Sequence, residues 1–92
     1  MQLEYDAQKA ANTLNEPGID FSRAADVFAG DTLDRIDSRH DYGEERIITA
    51  GRLDGRIVLI VWTPRGSVRR IISMRKANER EIARLEKHLG RS

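Results

Sequence analysis

The sequence predicts an α+β domain spanning residues 1–92, and three patterns carry that prediction. Residues 32–74 hold a succession of strand-like segments separated by turn signals. Two short helix-like runs precede them, and a capped amphipathic run follows. The resulting order is a short strand, two helices, an antiparallel meander and a terminal helix, which segregates helices from strands along the chain.

QLEY (2–5) alternates as a short strand does. Asp6 stands where an N-cap opens a helix over residues 7–16, with Ala10, Ala11 and Leu14 as a thin apolar stripe. Pro17-Gly18 stops it. A second short helix begins after Asp20 or Ser22, and Ala24, Ala25, Val27 and Phe28 supply its inner face. Gly30-Asp31 ends that helix. TLDRI (32–36) alternates again. EERIITAGRL (44–53) runs into Asp54-Gly55, a two-residue hairpin turn in which both positions favour positive φ. RIVLIVWT (56–63) is apolar on both faces and predicts a central strand. Pro64-Arg65-Gly66 turns the chain, and SVRRIISM (67–74) returns antiparallel to it.

Asn78 and Glu81 have capping-box spacing. In NEREIARLEKHL, Ile82, Leu85 and Leu89 share one stripe, and Gly90 follows as a C-cap. The three helices together suffice to cover one face of the sheet. Val58, Ile60 and Trp62 then remain on the other face. Either the terminal helix wraps over them or a partner protein does, unless Trp62 is an ordinary core residue.

Composition excludes several classes of function. The chain has no cysteine, so disulfides and thiolate metal sites are impossible, and two histidines make a structural zinc site unfavourable. No metal or cofactor is expected. No apolar run approaches the ~20 residues of a membrane span. The start MQLEYDAQ lacks the basic and apolar regions of a signal peptide, which predicts a cytoplasmic protein.

The net charge of +1 conceals a polarity. Residues 1–61 hold seven Lys/Arg against twelve Asp/Glu, whereas residues 62–92 hold nine against three. The C-terminal third is the electrostatic footprint for a polyanion. Its centre is RRIISMRKA (69–77), where four cations surround one strand. Strict alternation places Arg69, Ile71, Ser73 and Arg75 on one face, and Val68, Arg70, Ile72 and Met74 on the other. Arg46 and Arg56 on the preceding hairpin are positioned to converge with them. Glu44 and Glu45 are the nearby carboxylates, and His40 and Tyr42 lie in the loop before them. Guanidinium binds phosphate through a planar fork and stays charged. RNA brings its own nucleophile in the 2′-hydroxyl, so arginines plus one proton acceptor suffice to cleave it. A duller reading pairs Glu44 and Glu45 with surface arginines. It also makes Lys76, Arg80, Arg84 and Lys87 a solvated helix face that steers a polyanion.

The blocks YDAQKA (5–10), GIDFSRAADVF (18–28), DSRHDYGEER (37–46) and RRIISMRKANERE (69–81), with Gly51-Arg52 and Gly55-Arg56 between them, resemble the BrnT toxins. That resemblance implies an RelE-like fold and a ribonuclease toxin. It further implies a BrnA-like ribbon-helix-helix antitoxin, with promoter DNA reached only through that antitoxin. The matching positions are Glu44, Glu45, Arg46, Arg70, Ser73 and Arg75. We therefore expect metal-independent RNA cleavage with Arg70 and Arg75 on the scissile phosphate, Arg46 assisting, and Glu45 accepting or orienting the proton. Arg39, His40, Arg56, Arg69, Ser73 and Lys76 would hold the RNA. The chain departs from the family pattern at Glu16 and Pro17, where Lys-His is common, and at Leu85, where tyrosine is common. These departures leave an alternative reading, a catalytically weakened homologue that binds the antitoxin and acts as co-repressor.

Overall fold

The computed structural model describes residues 2–5, 19–37 and 43–89. Strand β1 (Gln2–Tyr5) comes first; a 3-10 turn (Phe21–Arg23) then leads into helix α1 (Ala24–Phe28). Strands β2 (Thr32–Ile36), β3 (Ile47–Leu53), β4 (Arg56–Arg65) and β5 (Val68–Lys76) follow, and helix α2 (Glu79–Leu89) closes the order. The predicted helix over 7–16 and the Gly90 cap lie outside the described residues.

The five strands form one sheet in the order β1-β5-β4-β3-β2. β2 to β5 make the expected antiparallel meander. β1 joins its far edge parallel to β5, so the sheet is mixed.

Local chemistry accounts for the boundaries. The carboxylate of Asp20 accepts the Ser22 amide at 2.9 Å and opens the helical turn. Asp54 and Gly55 take φ of 52° and 81°, the left-handed pair that a two-residue hairpin needs. The turn after β4 falls later than predicted: Pro64 and Arg65 continue the strand opposite Arg69 and Val68, and Gly66, at φ 59°, makes the turn. Pairing with β3 stops at Trp62, so among the described residues Pro64 has a strand neighbour on one side only. A missing N–H is tolerated there. Asn78 and Glu81 form the predicted box, each backbone amide donating to the other's side chain at 2.8–2.9 Å.

The helices do not share a face. Ile19, Phe21, Ala24 and Val27 pack on Val58, Ile60, Trp62, Ile71 and Met74. Leu85 and Leu89 of α2, with Ala77, cover Ala50, Ile57 and Leu59 on the opposite side. The reading of Trp62 as an ordinary core residue holds, and α1 with its approach segment, rather than the terminal helix or a partner, covers Val58, Ile60 and Trp62. Trp62 is an internal residue, 5% exposed. Its indole N–H donates to Thr49 Oγ1 at 2.7 Å, and that hydroxyl donates to Asp34 at 2.6 Å, tying edge strand β2 to the centre.

α1 lies close on β3 because Gly51 has no side chain. A Cβ there would meet Val27 Cγ1 at 2.6 Å and Thr32 Cγ2 at 3.2 Å. We expect Gly51→Ala to cost roughly 1–3 kcal/mol through overpacking. Thermal melting should show a drop of at least about 4 °C. An unchanged melting temperature would mean that α1 is not held where described.

Candidate RNA-binding cavity

The face that each β5 residue presents depends on a bulge. Val61 pairs with Ser73 and Trp62 pairs with Ile71, which leaves Ile72 as a surplus residue. Ile71 and Met74 are three apart, yet both enter the core under α1. Strict alternation is thereby corrected: Arg69, Ile71, Met74 and Lys76 stand on the α1 side. Arg70, Ser73 and Arg75 stand together on the α2 side.

Between that face and α2 lies a cavity of about 340 Å³. Ile48, Ala50, Leu59 and Val61 of β3 and β4 form its floor, with Leu33 and Leu85 at its sides. Its polar side chains come from three elements: Arg35 on β2, Ser73 and Arg75 on β5, and Glu81, Arg84 and His88 on α2, while the neighbouring Asp34 carboxylate turns to Thr49 on the other face. On α2, positions 81, 84, 85 and 88 follow i, i+3, i+4, i+7 and so share one side of the helix.

Arg75 is held in a fixed orientation. Its two terminal nitrogens donate to the two oxygens of Glu81 at 2.8 and 2.9 Å. Glu81 in turn is fixed as the capping-box acid of α2, and its side chain is 14% exposed. The Arg75 hydrogen bonds, helped by the Asn78 amide and opposed by burial, lower the Glu81 carboxyl to about 2. A helix cap and a cavity cation thus depend on one carboxylate.

The predicted site residues divide into four groups. Ser73 and Arg75 line the cavity. Arg70 shares their face but lies farther along the strand, opposite Thr63, with its guanidinium 2.6 Å from Glu4. Arg46 precedes β3 near that end, 3.7 Å from Glu44, and the same carboxylate lies 3.5 Å from Arg65. Glu45 is exposed, and its carbonyl accepts the Thr63 hydroxyl at 2.7 Å. Arg56, Arg69 and Lys76 belong to the α1 side. There the Arg69 guanidinium lies 4.0 Å over the Phe28 ring and 5.0 Å from that of Trp62, which makes it part of the packing. Arg39 and His40 lie outside the described residues. The structure therefore does not gather Arg46, Arg70 and Arg75 into one pocket: Thr63, opposite Arg70, stands four positions along β4 from Leu59, opposite Arg75.

Sequence reasoning did not bring Arg35 and His88 to this cavity and assigned Arg84 to a solvated face. Arg84 and His88 border the apolar stripe of α2, one residue before Leu85 and Leu89. That flanking position was the available signal.

Residues 5–81 match the family model for the ribonuclease toxin BrnT of type II toxin–antitoxin systems. The chain belongs to this family. No curated protein matches it. As a BrnT-family member it is a ribonuclease toxin of a toxin–antitoxin system. Among the described residues, no helix is long and apolar enough to cross a membrane. Leu85, the departure from the common tyrosine, lies at the cavity and is buried.

Glu81 also sets a pH dependence. Its folded carboxyl titrates near 2, below its ordinary value of 4.5, so the contribution is complete above about 4.5 and is lost as pH falls toward 2. Glu81→Gln keeps the capping hydrogen bonds and removes the charge. Denaturant titrations should show stability falling between pH 4.5 and 2 in the parent, with a shallower fall in E81Q. Equal slopes would contradict the ion pair.

Proposed function

We propose that the protein is a metal-independent endoribonuclease acting in the α2-side cavity, neutralised by a ribbon-helix-helix antitoxin through which alone it reaches promoter DNA. The observation that carries the catalytic part is the meeting of three guanidiniums and an imidazole, from β2, β5 and α2, around one cavity. Arg35, Arg75 and Arg84 supply the fixed positive charge that a phosphate needs as it gains negative charge. In that role they do what a bound cation does elsewhere. His88 carries the proton, since imidazole is the side chain most often used as a general acid–base.

The reaction follows from RNA itself. The 2′-oxygen attacks the neighbouring phosphorus and the bond to the 5′-oxygen breaks. One proton leaves the 2′-hydroxyl and one joins the departing oxygen, so a single imidazole can accept the first and return it. The products are a 2′,3′-cyclic phosphate and a 5′-hydroxyl. Arg70 and Arg46, farther along the same face, contact the RNA backbone beyond the scissile bond. The cytoplasm, where RNA and antitoxin are both present, is the compartment this reading requires.

Purified antitoxin-free protein should cut single-stranded RNA in EDTA. Arg75→Ala Arg84→Ala should lower kcat/KM by at least about 10²-fold. His88→Ala should lower it by a similar factor. Arg70→Ala should chiefly raise KM. Undiminished cutting by the double-arginine variant, with its fold confirmed by circular dichroism, would remove this site.

A further inference from the structure

The cavity combines two surfaces that a bare phosphate does not need together. Its rim carries three guanidiniums against the Glu81 carboxylate that clamps Arg75, an excess of positive charge, but its floor is Ile48, Leu59 and Val61, aliphatic groups that offer an anion nothing in exchange for its water. Val61 and Ser73 face each other as the last regular pair before the bulge, which sets a half-buried hydroxyl beside that floor. The volume, about 340 Å³, lies at the small end of ligand pockets, which span roughly 300–1,000 Å³. A flat apolar body with polar edges, covalently joined to a phosphate, satisfies floor, hydroxyl and rim at once.

We propose that the cavity is a base subsite: it receives one unstacked base of single-stranded RNA, laid on Ile48, Leu59 and Val61 with its edge toward Ser73. The adjoining phosphate sits on the rim of Arg35, Arg75 and Arg84. Paired RNA keeps its bases stacked and cannot present one in this way, whereas loops and single strands can. The subsite rests on the nuclease reading of the same cavity and adds to it a base preference at one position beside the scissile bond.

The test uses the parent protein and single-stranded oligoribonucleotides randomised on both sides of the cut. A second substrate carries an abasic ribose at the preferred position. We expect a preference confined to one side of the cleaved bond. The abasic substitution should lower kcat/KM at least tenfold. Val61→Phe, which fills the floor, should abolish the preference. If Val61→Phe fails to fold, the comparison of intact and abasic substrates by the parent protein decides alone. Equal cleavage of these two would overturn the subsite and leave the nuclease reading standing. No cleavage of any RNA would overturn both.

Discussion

Five consecutive apolar residues of β4, Ile57 to Val61, are followed by Trp62, and they leave the centre of the sheet without a face that tolerates water. Burial of a side chain of this size is worth about 1.5–3 kcal/mol, so neither set is left exposed without serious loss. The chain meets that demand with one helical layer on each side. α1 is only five residues long, too short to persist alone, and depends on Val27 reaching into the space over Gly51. α2 is longer and self-capped. The cavity lies on the α2 side, where Leu85 and Leu89 cover only part of the sheet.

The electrostatics are organised by the same layering. Strand β5 delivers arginines to both faces, and each face uses them differently. Under α1, Arg69 lies against Phe28 and Trp62, where its planar cation covers aromatic surface. Under α2, Arg75 is clamped by an acid that also caps the helix, so forming the helix orients the cation. Arg70 is paired with Glu4 across the junction of β5 with β1. Arg23 clamps the Asp54 carboxylate of the hairpin tip with a two-point contact, which lowers that carboxyl and fixes α1 to the β3–β4 turn.

The meander was legible because its signals are local. Asp54-Gly55, the two-faced β4 and the Asn78–Glu81 box each state a backbone requirement within a few residues. The parallel pairing of β1 was not legible, since it joins residues more than sixty apart with no turn to announce it. Nor was the bulge: Arg70 and Arg75 differ by an odd number, so alternation separates them. Only packing, with Ile71 and Met74 both needed under α1, shows otherwise. Arg35 and His88 reached the cavity through tertiary placement, and neither carries a motif of its own.

The surplus Ile72 binds the strand's history to its arithmetic. Removal of one codon between Ile71 and Ser73 would restore simple alternation and send Arg70 toward Phe28 and Trp62. Ile71 would meanwhile be drawn out of its hydrophobic setting. Such a lineage would lose one core side chain and one cation of the α2 face in the same event. Escape from toxicity by that route would weaken the core under α1 as well as the face that carries Arg70.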